Sequence, residues 1–352
     1  MKVSIIGAGH VGATVAYATF LTCKGVDLRL IDVNIDLANA TALDISHASM
    51  LDNSFIDEKC TCKVGTYEDL NDSDFLVITA GLSQSAANGG TRSTGINKSY
   101  AIIKNICDNI NKTRFKGYVI VASNPNDVMS YAVYRLCHIP KERIIGTGTS
   151  LDSLRLNYIL SEELEVDSTC ITSVLPSKEG DDRICHMAYV IGEHGETSVP
   201  VYSLTNIVRR DLQGEYDTYL EDYLAEYGVN IKEFENRVTG KVRRAGYDVL
   251  IGQGATYYAI ANIISCIISN YDIALEEGLD DIKDFYPGPL SRLYTLKDGH
   301  EIFVSLPRVI DEEDMELVYD ALSEEEKEMF DISCRAIEGQ IEGLGLYGED
   351  QI

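Results

Sequence analysis

Three short stretches of the chain carry polar side chains out of keeping with their surroundings. Asp152 and Arg155 stand at i and i+3 of a helix-like run that opens after Ile145–Thr149, so they share one helix face. Gly192-Glu193-His194-Gly195 sets a histidine between glycines at the end of a strand-like run. Arg92 lies in Leu82–Gly95, a stretch rich in Gly, Ser, Ala and Asn that reads as a moving loop. An imidazole, with an ordinary pKa of about 6.5, can give and take a proton near neutrality. An arginine fork can grip a carboxylate through two parallel N–H···O bonds. Each residue alone also has a plainer reading: a local salt bridge, a turn histidine, a surface arginine.

A fourth stretch, Gly7-Ala8-Gly9-His10-Val11-Gly12, fits G-x-G-x-x-G directly after a strand-like run and opens a helix. Such glycines allow a tight turn and close approach of the backbone to a pyrophosphate, which the helix N-terminus then stabilises. Asp32 ends the next strand-like run, Leu28-Arg29-Leu30-Ile31-Asp32. A carboxylate there accepts hydrogen bonds from ribose hydroxyls and repels a 2′-phosphate, which favours NAD over NADP. The turn itself leaves FAD and sugar nucleotides open.

These residues need a frame. Apolar, β-branched runs at Lys2–Ile6, Asp27–Ile31, Phe75–Thr79, Tyr118–Ala122 and Arg143–Ile145 alternate with helix-period stretches such as Val11–Thr22 and Ile102–Ile110. That alternation predicts βαβ units and a parallel sheet. Beyond it, Cys170–Val174 and His186–Ile191 read as antiparallel strands around a charged loop, Pro176–Arg183. The uncharged run Val249–Tyr271 reads as one buried core helix. Residues 311–331 hold eleven carboxylates and one lysine, which reads as a solvated acidic helix face. Ser323 with Glu326 marks the start of a last helix burying Phe330, Cys334, Ile337 and Ile341. The expected fold is α/β: a Rossmann, doubly wound parallel sheet over residues 1–147, then a mixed α+β substrate domain over 148–352.

The chain has 352 residues, enough for two domains, and 30 Lys and Arg against 56 Asp and Glu give a net charge of −26. Such acidity argues against nucleic acid and against anionic membrane surfaces as partners. A small-molecule substrate stays open. Nine cysteines without a secretory signal read as reduced, mostly buried thiols of a cytoplasmic protein. Cys60-Thr61-Cys62 is one residue short of the usual metal pair, and His138, His186 and His300 lack a carboxylate or cysteine at metal-ligand spacing, so no metal is expected.

In order along the chain, Gly7–Gly12, Leu30–Asn34, Ala42–Ala48, Thr79-Ala80-Gly81, Ser123-Asn124-Pro125, Asp152–Arg155 and Gly192–Gly195 resemble the motifs of the NAD-dependent L-lactate/L-malate dehydrogenase family, over nearly the whole length. The resemblance implies that His194 exchanges the hydroxyl proton, Asp152 holds its ring, and Arg155 grips the substrate carboxylate. It implies that Arg92 closes over the substrate and polarises its carbonyl. Asn124 would bond near the nicotinamide and the substrate oxygen, and Thr256 matches a pocket residue. The cofactor residues it implies are Gly7, Gly9, His10, Val11, Gly12, Asp32, Thr79, Ala80, Gly81, Ala122 and Asn124.

Within the family, the third position after Thr-Ala-Gly meets the variable end of the substrate. Arginine there suits malate and glutamine goes with lactate; here it is Gln84. No Arg or Lys lies between Gly81 and Arg92, so a second carboxylate would lack a partner. The resemblance therefore implies reversible hydride transfer between NADH and pyruvate, in a homotetramer or homodimer. Gln84 and Arg92 are separated by seven residues, about two more than in typical lactate enzymes. That longer loop also resembles the 2-hydroxyisocaproate branch, which takes larger aliphatic 2-oxo acids. A catalytically idle NAD-binding protein is the reading from another class. Inserts near 175–183 and 280–291 read as surface decoration or a subunit contact.

Overall fold

The runs Phe75–Ile78 and Val119–Val121 are buried at every residue, as befits strands covered by helices on both faces. The computed structural model describes residues 1–50, 59–81, 92–176, 183–211, 214–276, 286, 288–307 and 312–348; the side chains of 92–94, 183, 210, 211, 215, 272, 275, 276 and 312–315 lie outside the described set. In chain order the first half runs β1 (Lys2–Ile6), α1 (His10–Thr22), β2 (Asp27–Ile31), α2 (Ile35–Ala48), β3 (Thr61–Val64), β4 (Phe75–Ile78), α3 (Arg92–Ile110), β5 (Tyr118–Val121), α4 (Asn126–Leu136), β6 (Ile144–Gly146) and α5 (Ser150–Leu164). The second half has β7 (Ile171–Leu175), β8 (Arg183–Cys185), β9 (Val190–Ile191), β10 (Val199–Pro200), β11 (Thr205–Asp211) and β12 (Gly214–Tyr219). It continues with α6 (Leu220–Glu226), α7 (Ile231–Gln253), α8 (Tyr258–Glu276), β13 (Leu290–Thr295), β14 (Glu301–Leu306), α9 (Glu312–Ala321) and α10 (Glu324–Gly343).

The main sheet has the order β14-β13-β6-β5-β4-β1-β2-β3. From β3 to β6 every pair is parallel, and the order 3-2-1-4-5-6 is that of a doubly wound Rossmann sheet. The order reverses between β1 and β4, so a crevice opens beyond their C-terminal ends, where Gly7 and Thr79 follow the strands. The β13–β14 hairpin returns from late in the chain to extend this sheet, β13 meeting β6 antiparallel at Ser291 and Gly146. Its first residues, Leu290 and Ser291, are buried, so this end of the 280–291 insert is core and not surface decoration. A separate four-stranded antiparallel sheet, β12-β11-β7-β8, packs a second-half core that includes Leu156, Ile171, Phe234 and Val238.

Three further sequence expectations are corrected. Val249–Tyr271 is not one buried helix: α7 ends at Gln253, Gly254 caps it in the left-handed region at φ +81°, and α8 leaves at a bend of 112°. Val249 and Ile251 at the end of α7 are exposed, whereas Ala261, Ile264 and Ile268 of α8 are buried. No single helix among the described residues is long and apolar enough to cross a membrane. The strand expected at His186–Ile191 is confined to Val190–Ile191, because β8 ends at Cys185 in a turn whose carbonyl takes the Met187 N–H. The acidic face of α10 is not wholly solvated either. Glu326 is 5% exposed, and its carboxylate accepts from Ser323, Tyr202 and Ser203. The β7 and β8 strands pair antiparallel as the charged loop requires, and 177–182 of that loop lie outside the described residues. None of the nine cysteines forms a disulfide, and five of them are buried.

Candidate active site

The glycine turn fits closely against the loop after β4. Gly7 has φ +105°, and a Cβ there would come within 2.8 Å of Ala80 N and Thr79 Oγ1. A Cβ at Gly12 would sit 1.7 Å from the Gly7 carbonyl oxygen, so helix α1 can start this close to the turn only without a side chain. Gly9 has nothing within 4 Å: its face is open, as a backbone that approaches a pyrophosphate must be. Thr79 Oγ1 donates to the Gly7 carbonyl at 2.9 Å, and Ser123 Oγ to the Ala80 carbonyl at 2.6 Å. Thr79, Ala80 and Gly81 thus lie along the crevice, with Ala122 beside them through its N–H to Ile78 O at 2.9 Å. Asp32 at the end of β2 accepts from Ala8 N at 2.6 Å and Asn34 N at 2.7 Å, which fixes its carboxylate at the rim of the turn. These residues fit a dinucleotide with free ribose hydroxyls. Val11 is half-buried in the first turn of α1, and Asn124 is exposed beyond β5. His10 is exposed and stacks on Tyr257, ring centres 5.4 Å apart.

The acid–base end is built from α5 and the loop after β9. Gly192 turns this loop at φ +86°, where a Cβ would meet Ser333 Oγ at 2.4 Å. His194 Nδ1 lies 2.6 Å from Asp152 Oδ2, and Arg155 Nη1 donates to Asp152 Oδ1 at 3.0 Å. An ionised carboxylate only accepts, so the imidazole carries hydrogen on Nδ1, and Nε2 is the ring nitrogen that can take up or give a second proton. Burial by itself would push the His194 pKa down. The charge and hydrogen bond of Asp152 outweigh it, Asp127 adds to them, and the pKa lies above 6.5. For Asp152, burial pushes up, but His194 and Arg155 together hold the carboxyl below its ordinary value. About a quarter of the His194 side chain (24%) remains exposed, so the ring is held but reachable.

Arg155 packs its guanidinium over Gly246 of α7, where a Cβ would come within 3.1 Å of Nη2. Arg155 and Thr256 share a groove of about 720 Å³ with Leu151, Leu154, Tyr158 and Ile260. Gln84 and the side chain of Arg92 lie outside the described residues. Sequence reasoning missed Asp127 and Gly246. Asp127 looks like an ordinary acid in the first turn of a helix, and Gly246 like a neutral helix position. Their partners are distant in sequence, so no local signal marks them.

His300 does have carboxylate neighbours, contrary to the sequence reading: Nδ1 is 2.7 Å from Glu338 and 3.7 Å from Asp298. The three are the one cluster of its kind among the described residues, and two of them are exposed. Glu338 reaches it from α10, a proximity that spacing cannot show.

A Rossmann crevice with a carboxylate at the rim of its glycine turn, in a chain that also holds a histidine–aspartate pair and a half-buried arginine, is the architecture of an NAD-dependent oxidoreductase. Residues 1–146 match the lactate/malate dehydrogenase NAD binding domain, and residues 149–344 match that family's alpha/beta C-terminal domain. The chain belongs to the lactate/malate dehydrogenase family. It is 31% identical to an L-lactate dehydrogenase of Clostridium perfringens, covering 97% of this chain and 96% of that one. It is 32% identical to one of Borrelia hermsii, over 97% and 98%. Among solved structures, the minor L-lactate dehydrogenase of Enterococcus mundtii superposes with a TM-score of 0.75 at 26% identity, covering 97% of both chains. A malate dehydrogenase of Salinibacter ruber shares the fold, with a TM-score of 0.72 at 22% identity.

Proposed function

We propose that this chain is an L-lactate dehydrogenase, interconverting L-lactate and NAD with pyruvate and NADH. The observation that carries the chemistry is the His194–Asp152–Arg155 unit at 2.6 and 3.0 Å. The choice of pyruvate is supported by the full-length likeness to L-lactate dehydrogenases and by the absence of Arg and Lys between Gly81 and Arg92.

Residues 1–147 bind NAD and 148–352 bind the substrate. The turn Gly7–Gly12 takes the pyrophosphate and Asp32 the ribose hydroxyls; Thr79, Ala80, Gly81, Ala122 and Asn124 line the nicotinamide side. NADH, when bound, supplies the hydride. Arg155 binds the pyruvate carboxylate bidentately and so aims the carbonyl at His194. His194, protonated for reduction, donates the Nε2 proton to the carbonyl oxygen as charge builds there. Asp152 stabilises the imidazolium beforehand and fixes its tautomer. Arg92 polarises the carbonyl, Gln84 faces the methyl end, and Thr256 bounds the pocket beside Arg155. In the oxidative direction neutral His194 takes the lactate hydroxyl proton.

A second reading, larger aliphatic 2-oxo acids, is favoured by the long segment between Gln84 and Arg92 and by the apolar lining of the groove. The deciding assay is NADH oxidation with pyruvate, 2-oxoisocaproate and oxaloacetate in parallel. Preference for pyruvate supports the assignment; preference for 2-oxoisocaproate moves it to the second reading; preference for oxaloacetate refutes the reading of Gln84. The enzyme is cytoplasmic and a homotetramer or homodimer in this proposal, which sedimentation would test.

A further inference from the structure

We propose that Asp127 is a positioning residue for His194: a buried second carboxylate that anchors the histidine's backbone and holds its ring toward the protonated state. The inference rests on the proton-transfer role proposed for His194. Asp127 sits in the first turn of α4 and is 2% exposed. Its Oδ2 accepts the His194 backbone N–H at 2.8 Å, and its Oδ1 accepts the Ser291 hydroxyl at 2.5 Å. A first-turn acid that served only its helix would bond that helix's own N–H groups. These two oxygens instead reach residues 67 and 164 positions later, on the catalytic loop and on β13. One carboxylate thus pins the Rossmann sheet extension and the catalytic histidine to the same point.

Among the described residues, the titratable groups that act on Asp127 or feel its charge include His194 and Glu193 on the loop after β9, and Cys334 on α10. His194 is the one among them that can carry positive charge. Burial lifts the Asp127 carboxyl to about 6, against the opposing pull of the Ser291 and His194 hydrogen bonds. It is therefore mostly anionic at neutral pH, and more so whenever His194 is protonated. The reciprocal statement follows: the Asp127 charge raises the proton affinity of His194, alongside Asp152 and against Arg155. Asp152 meets the ring directly, whereas Asp127 acts through the backbone it holds and through space.

The test is a nuclear magnetic resonance titration of the histidine rings in the full-length protein, with the His194 signal assigned by its loss in His194→Asn. Asp127→Asn keeps the shape and an acceptor oxygen but removes the charge. Its His194 pKa is expected to fall by about one unit, the low end of what an opposite charge nearby does. The pH profile of kcat/KM for pyruvate reduction shifts down with it, while NADH affinity stays within about twofold. Ser291→Ala keeps Asp127 but removes a bond that favours its anion, so the His194 pKa falls by less. An unshifted His194 pKa in a folded Asp127→Asn protein overturns the proposal. If that variant does not fold, an unshifted pKa in Ser291→Ala overturns it. A wild-type protein that reduces no 2-oxo acid would refute the proposed function, and the titration would still decide whether Asp127 sets the proton affinity of His194.

Discussion

Two glycines on one helix separate the carboxylate grip proposed for Arg155 from the stability of the fold. Gly240 and Gly246 both lie inside α7, Ile231–Gln253. A Cβ at Gly240 meets nothing within 4 Å, whereas one at Gly246 lies 3.1, 3.2 and 3.3 Å from Nη2, Nη1 and Cζ of Arg155. Alanine stabilises an exposed helix interior relative to glycine by roughly 0.5–1 kcal/mol, so Gly240→Ala should raise the urea midpoint and leave the kinetics alone. Gly246→Ala gains the same helix propensity, but the guanidinium must yield by a few tenths of an ångström. Yielding costs the fold little, since the obstructing group is the end of a flexible side chain. It costs the site more, because Arg155 is already fixed by Asp152 at 3.0 Å and can only tilt out of the plane its fork needs. A hydrogen bond to a charged group contributes about 1.5–3 kcal/mol, and losing about half of one bond in the fork is about 0.8–1.5 kcal/mol, or roughly four- to twelvefold in KM. The carboxylate grip is equal in ground and transition states, so kcat should stay within about threefold. The assay is kcat and KM for pyruvate, NADH affinity and the urea midpoint, for both variants side by side. An unchanged KM in Gly246→Ala, or an equal rise in Gly240→Ala, would refute the claim that Gly246 makes room for a carboxylate-binding arginine.

At the cofactor turn, Gly12→Ala cannot be accommodated because its Cβ would meet backbone at 1.7 Å; NADH binding should be lost, by fluorescence titration, with a fall in thermal midpoint. Gly9→Ala meets nothing within 4 Å, so the midpoint should hold while NADH affinity drops about tenfold or more, its methyl occupying the open face of the turn. Glu326→Ala leaves donors of Ser323, Tyr202 and Ser203 without their acceptor and should cost about 3–5 kcal/mol in urea unfolding; Glu326→Gln, which keeps the oxygen serving Tyr202, should cost about half as much. The His194–Asp152 pair gives a pH window. The raised His194 pKa stabilises the fold fully below 6.5 and less as pH rises through the folded value. The lowered Asp152 pKa stabilises above 3.8 and is lost as pH falls through its folded value. The difference in stability between wild type and Asp152→Asn should therefore be greatest between those folded values, and a flat difference across pH would contradict the assignment.

The parts of this protein legible in its sequence are those whose physics is local. A glycine turn declares itself because Gly7, Gly9 and Gly12 answer to backbone conformation and close approach within six residues, and Asp32 follows from the strand that must come next. Ser323 and Glu326 signal a helix start for the same reason. The acid–base unit is different in kind: Asp152 and His194 lie 42 positions apart, and only the order of motifs along the chain points to their meeting. Where no motif helps, a charged residue reads as solvated by default, and Glu326 shows the default failing. Its other partners, Tyr202 and Ser203, lie more than a hundred positions earlier. The run Val249–Tyr271 fails in the opposite way. Gly254 was a local signal, yet the lack of charge around it favoured an unbroken helix. The break shapes the candidate site, because Thr256, just after it, lines the groove together with Arg155. Asp127 joins both lessons. A first-turn acid is unremarkable by local rules, and its bonds reach a late hairpin through Ser291 and the loop after β9 through His194. The glycine turn, with Asp32 and Thr79 against it, is therefore held by bonds among the first 79 residues. The His194–Asp152 pair lies wholly within residues 148–352, whose β13 and loop after β9 both bond to Asp127.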